Sequence, residues 1–96
     1  TYTSAGFSPQ TITVQKGAVV TFTALEGISM WVASGKHPSH TNYDGTSLAQ
    51  HCASGSPISF DQCAQGTSYT FTFDKVGTWY YHDHVNISNT GTVVVQ

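Results

Sequence analysis

The sequence predicts an all-β sandwich of about seven to eight short strands, folded as a single domain over residues 1–96. Three observations carry that prediction. Side-chain character alternates with a period of two nearly everywhere, as in an extended strand whose successive side chains face opposite sides. Charged residues make up only 8% of the chain, while Thr, Ser, Gly, Val and aromatic residues abound, a pleated-sheet composition kept in solution by hydroxyls. Turn signals recur at short intervals, and no segment sustains a 3.6-residue period or an internal repeat. A chain of 96 residues is long enough to enclose one core.

Taken in order, Gln10-Thr11-Ile12-Thr13-Val14 alternates and is turned by Lys16-Gly17. Ala18 to Ala24 reads as the next strand, ending at Glu26-Gly27, and Met30 to Ser34 is a short apolar run closed by Gly35. From Lys36 to about Pro57 the chain makes a long, turn-rich excursion through Pro38, Asn42, Asp44-Gly45 and Gly55, with room for one helical turn around Ser47-Leu48-Ala49-Gln50. Ser68-Tyr69-Thr70-Phe71-Thr72-Phe73 alternates hydroxyls with aromatics, the mark of a half-buried strand. Asp74-Lys75-Val76-Gly77 turns the chain, and Thr78–His84 and Thr90–Val95 complete the sheets.

Composition also excludes. The cations are Lys16, Lys36 and Lys75, with no arginine, so there is no cluster to displace counterions from nucleic acid or to grip an anionic membrane. No apolar run approaches the roughly 20 residues of a membrane-spanning helix. The polar opening Thr1-Tyr2-Thr3-Ser4 carries no signal peptide, as expected of a mature or trimmed form. The two cysteines, Cys52 and Cys63, fall within one Ser/Gly/Pro-rich segment at a spacing too long for a Cys-x-x-Cys motif. A disulfide there closes the excursion, removes roughly 3 kcal/mol of unfolded-state entropy in the chain-entropy account, and implies an oxidising compartment, periplasmic or secreted. The alternative is a pair of free thiols or thiolate ligands beside His51.

The densest chemistry lies in Tyr80-Tyr81-His82-Asp83-His84. On a strand, His82 and His84 face one way and Asp83 the other, with the two histidine Cα atoms roughly 6.5–7 Å apart at about 3.3 Å per residue. That spacing lets both rings converge on one ion at bonds of about 2.0–2.1 Å. Of the five histidines, His37 and His40 form a second close pair in Lys36-His37-Pro38-Ser39-His40-Thr41, and His51 stands apart. The competing reading is two unrelated pairs of surface and turn histidines.

Gly17-Ala18-Val19-Val20-Thr21-Phe22, Tyr69-Thr70-Phe71-Thr72-Phe73, Gly77-Thr78-Trp79-Tyr80-Tyr81-His82 and Gly91-Thr92-Val93-Val94-Val95 together resemble the cupredoxins, small Greek-key sandwiches that hold copper. The resemblance covers most of the chain outside the excursion. In that family the blue site takes an early His, then Cys, His and Met from the final loop. Aligned without gaps from Gly77 to Gly91, Asp83 stands at the Cys position, Asn86 at the His, Asn89 at the Met, and Met30 at the early His. A one-residue gap brings His82 or His84 into those slots instead, but never a Cys. The series Trp31-Val32-Ala33-Ser34, His37-Pro38-Ser39-His40-Thr41 and Tyr81-His82-Asp83-His84 is similar to that of bacterial cupredoxin-like domains. A blue centre needs a copper–thiolate bond, so the resemblance implies a site that is not blue.

The resemblance further implies where such a site lies. It runs the Gly35–Thr41 segment beside the residue preceding the Cys position, which is His82, and so brings His37, His40, His82 and His84 around one metal. Neutral imidazole suits copper(II), zinc(II) or nickel(II), and the affinity order favours copper. Asp83 is a candidate to orient a histidine. Tyr43 and Tyr80 are candidate outer donors, and Met30 is either core filling or a soft copper(I) ligand. The function this predicts is copper binding at an all-histidine site, for copper handling or redox exchange with a protein partner outside the cytoplasm. Two alternatives stand beside it: a small copper enzyme acting on oxygen species, disfavoured by the lack of an acid–base pair, and a metal-free interaction module.

Overall fold

A computed structural model describes residues 1–53 and 58–96. Its elements are β1 (Tyr2–Thr3), β2 (Gly6–Phe7), β3 (Thr11–Val14), β4 (Ala18–Thr23), β5 (Val32–Ser34), α1 (Leu48–His51), β6 (Ser68–Phe73), β7 (Gly77–Asp83) and β8 (Thr90–Val95). One sheet has the order β3-β8-β7-β5, with β3 parallel to β8 and the other pairs antiparallel; β4 and β6 form the facing antiparallel pair. This is the sandwich that the alternating segments predict. The helical turn forms where expected, closed by a capping box in which Ser47 Oγ accepts from the Gln50 N–H and Gln50 Oε1 accepts from the Ser47 N–H.

The core follows from the alternation. On β6 the hydroxyl residues Ser68, Thr70 and Thr72 face out or sit at the rim, while Phe71 and Phe73 are buried. Both meet each other and Phe60, which in turn meets Tyr81 of β7, and Tyr81 meets Phe22 of β4, in edge-on and tilted ring contacts. Tyr81 lies across Gly91, its cross-strand partner, so closely that a Cβ there would come within 2.3 Å of the phenol ring. Only glycine allows this crossing. Met30 is fully buried in the same cluster and serves as core filling.

Two features go beyond the sequence prediction. Short strands β1 and β2 pair in a hairpin that sets Tyr2 beneath the end of β7. Residues 60–62 lie along the outer edge of β5, where the Ser34 N–H donates to Phe60 O (3.1 Å) and the Gln62 N–H to Val32 O (2.7 Å). The excursion is thereby stitched to the sheet at its far end, and Phe60 and Tyr43 plug into the core. Cys52 and Cys63 are joined in a disulfide. Among the described residues no helix is long and apolar enough to cross a membrane.

Candidate metal centre

Position by position, the site grows from the turn after β5. Gly35 adopts φ 86°, and a Cβ there would press on Asn42 and Ser39 at 3.2–3.3 Å, so the tight reversal needs glycine. Its N–H donates to Tyr80 O (2.6 Å), and its carbonyl accepts from His82 Nδ1 (3.0 Å). The carbonyl can only accept, so Nδ1 carries the proton and Nε2 is left as a lone pair. The next turn closes with the Ser39 N–H on Lys36 O (2.8 Å), with a cis His37–Pro38 peptide inside it. The Ser34 hydroxyl then holds His40 O at 2.7 Å. The excursion thus folds back over the end of β7.

This brings the two histidine pairs together. The His40 ring lies 5.2 Å from His82 and 5.1 Å from His84, and the His37 ring lies 5.6 and 6.4 Å from the same two. One nitrogen from each of His37, His82 and His84 lies within 4.8 Å of the others. Two ligands about 2.0–2.1 Å from one ion stand up to ~4 Å apart, within reach of a small rotation of the exposed His37. His82 is fully buried and His40 nearly so. His82 Nε2 and His84 Nδ1 are buried with no hydrogen-bond partner among the described residues. Leaving such a group unpaired costs about 1–3 kcal/mol, so the fold carries two imidazole nitrogens that an ion would satisfy.

Electrostatics favour the neutral, ligating form of His82. Burial is the largest influence on His82 and holds its pKa below the ordinary imidazole value. The Gly35 carbonyl partly opposes this, and neighbouring His40, His37 and His84 lower the pKa further. The carboxylate behind the cluster is Asp61. Its Oδ2 faces His40 Nδ1 (2.6 Å) and His51 Nε2 (2.8 Å), and its Oδ1 accepts from Trp31 Nε1 (2.8 Å) and the Cys63 N–H (2.9 Å). Burial alone would raise the Asp61 pKa, but the bonds from His40, His51, Trp31 and Cys63 outweigh it and hold the acid below its ordinary value. With Nδ1–H given to Asp61, His40 has Nε2 left over, although it is not one of the three histidines, His37, His82 and His84, whose donor atoms lie within 4.8 Å of one another.

Sequence reasoning did not single out Asp61 or its link to His51. The available signal was a carboxylate two residues before a cysteine in a chain with five acidic residues. Asp83, the candidate orienter, takes a different part. It accepts from the Tyr2 hydroxyl, the Trp31 N–H (2.9 Å) and the Val85 N–H (3.0 Å), and touches no histidine ring nitrogen. Asn89 Nδ2 donates to the Tyr2 oxygen at 2.9 Å. Asp83 and Asn89, the positions that the ungapped alignment sets at the blue site's Cys and Met, therefore share a hydrogen-bonded network through Tyr2. Tyr43 is likewise removed from the outer shell: it packs on Trp79 and Phe71 and donates to Asp74 Oδ1 (3.0 Å), burial and that bond pushing its phenol up to about 12. Tyr80 lies on the open face, with the Lys36 ammonium 5.1 Å from its ring centre.

No sequence-family profile and no curated protein sequence matches the chain. Solved structures do. A purple cupredoxin from Nitrosopumilus maritimus superposes with a TM-score of 0.67 at 18% identity, over 97% of this chain and 84% of that one. Two reduced amicyanin variants, one of them a copper(I) form at pH 4, superpose with TM-scores of 0.66 and 0.67 at 22% identity, over 97% of this chain and 75% of theirs. The fold is that of the cupredoxins.

Proposed function

We propose that the protein binds copper through His37, His40, His82 and His84, and serves copper handling or redox exchange outside the cytoplasm. The observation that carries this reading is the pair of buried, unpartnered imidazole nitrogens, His82 Nε2 and His84 Nδ1, on rings that lie 5.1–6.4 Å from those of His37 and His40. Three arguments support copper as the metal. All-imidazole donor sets suit copper(II), zinc(II) and nickel(II), and copper binds most tightly of the three. The fold is shared with proteins solved in copper(I) forms. His82 is biased toward the neutral state that a metal requires. When bound, copper would supply a one-electron couple at a centre without thiolate. The disulfide supports an oxidising compartment. A partner protein would meet the groove beside His37, lined by Lys36, Tyr80, Ile87 and Thr90, where Tyr80 and Ile87 are exposed apolar groups.

Titration with copper(II), followed by electron paramagnetic resonance, tests the proposal. One equivalent should bind with nitrogen hyperfine structure and a pale colour, and the His82→Ala/His84→Ala variant should lose tight binding. A strong thiolate-type absorption, or unchanged binding in that variant, would sink the assignment. So would a His37→Ala/His40→Ala variant that holds copper as tightly as the parent.

A further inference from the structure

A second group of donors lies at the foot of the excursion, behind the imidazole cluster. Atoms of His51, Cys52, Asp61 and Cys63 all lie within 4.8 Å of one another. The side chains of His51 and Asp61 are almost wholly buried, and the two ligand pairs come from opposite ends of one loop, His51-Cys52 from α1 and Asp61-Cys63 from the β5 edge. With the disulfide closed the sulfurs are bonded to each other and carry no thiolate charge, so only two donors remain. With it open there are four.

We propose that reduction of Cys52–Cys63 creates a second metal site, for zinc(II), built from Cys52, Cys63, His51 and Asp61. The opening step needs a dithiol reductant: its two thiols become a disulfide, and the two electrons and two protons they lose convert the protein's S–S bond to two thiols. Zinc then displaces both thiol protons to solvent and gains two thiolates, one imidazole and one carboxylate. That set fills a tetrahedral shell with no open position, the pattern of a structural zinc site. Local geometry favours it. The two cysteine Cα atoms stand 5.4 Å apart, and the Cys63 N–H is held on Asp61 Oδ1 at 2.9 Å. His51 Nδ1 lies 3.1 Å from Thr46 O, which can only accept. In the metal-free chain a ring N–H bridges His51 Nε2 and Asp61 Oδ2 at 2.8 Å; zinc would take that proton's place between the two donors, the ring proton then sitting on Nδ1 and donating to Thr46 O.

The site differs in kind from the imidazole cluster, because its affinity depends on sulfur and on redox state. Cobalt(II) is the probe that separates them, since its thiolate charge-transfer band reports sulfur ligation alone. On titrating the full chain before and after treatment with a phosphine reductant, the reduced protein should bind one extra equivalent of cobalt, show that band, and exchange the cobalt for zinc. The Cys52→Ser/Cys63→Ser variant should gain neither the equivalent nor the band, and His51→Ala should weaken the gained site by at least about tenfold, the lower end of what loss of even an outer partner costs. An absent band, a gained equivalent that survives in the serine variant, or a reduced chain that loses its sheet signal in circular dichroism and does not regain it with zinc, each overturns the proposal. Failure of copper to bind the imidazole cluster would leave these sulfur-specific results untouched.

Discussion

Asp61 and Asp83 are both buried, and the same residue donates to each: Trp31 gives its main-chain N–H to Asp83 Oδ1 at 2.9 Å and its indole N–H to Asp61 Oδ1 at 2.8 Å. Their other partners set them apart. Asp83 is closed by a phenol and a second main-chain N–H, groups with no further chemistry to offer. Asp61 is closed by two imidazoles, and each of those rings has a second nitrogen. A buried carboxylate given only fixed neutral donors becomes a structural rivet. Given imidazoles, it fixes their tautomers, and in the copper site proposed above Asp61 would orient the remaining nitrogen of His40 toward the ion. One side of the final hairpin is therefore sealed, and the other is left with unsatisfied nitrogen lone pairs.

The sharpest break of this contrast comes from replacing each acid in turn. Asp83→Ala should cost about 3 kcal/mol or more in denaturant unfolding, because the Tyr2 hydroxyl and two N–H groups lose a charged acceptor. Copper affinity of the molecules that remain folded should stay within a few-fold of the parent; a large loss of affinity would mean the two sides are not separate. Asp61→Asn should do the reverse, weakening copper binding about 10–100-fold in competition titrations, with a smaller loss of stability. Equal copper affinity in Asp61→Asn and the parent would reduce Asp61 to a second rivet.

The smallest effect is the acid response of the metal-free protein. His82 has its folded pKa depressed, so as pH falls through about 6.5 the unfolded chain takes up a proton before the folded one does. The stability linked to His82 is thus complete above that pH and declines below it. Asp61 is also depressed in the folded state, so its contribution is present above about 3.9 and is lost as pH falls further. Unfolding free energies measured from pH 8 down to pH 3 should fall in these two windows. His82→Gln should remove the upper decline and Asp61→Asn should shrink the lower one, to which Asp44, also depressed in the folded state, contributes the rest; an upper decline that persists in His82→Gln would assign it to another histidine.

Much of this was legible in the chain, for reasons that differ between residues. Phe71 and Phe73 alternate with threonines, and a two-residue period leaves no choice about which face is buried. Ser47 and Gln50 announce their own helical turn because a capping box is local. The His82/His84 pair is equally local. Asp61 gave no such sign: its partners His40, His51 and Trp31 are ten or more residues away, and no periodicity links them. The exchange of roles between the two acids escaped for the same reason. Asp83 sits beside two histidines in sequence yet bonds to Tyr2, which is 81 residues away.

By itself, then, the sequence determined what spacing and alternation can encode: strands, a helical turn, a cysteine pair bracketing one loop, and two pairs of imidazoles. The tertiary structure alone decided which acid stands behind which ring, and that the network of Tyr2, Asp83 and Asn89 occupies one side of β7 while the histidines gather on the other. The reason is physical. A strand fixes only the face toward which a side chain points, whereas what a buried polar group bonds to depends on the segment laid across that face. Here those segments are the β1–β2 hairpin on one side and the Gly35–His40 turn with residues 60–62 behind it on the other.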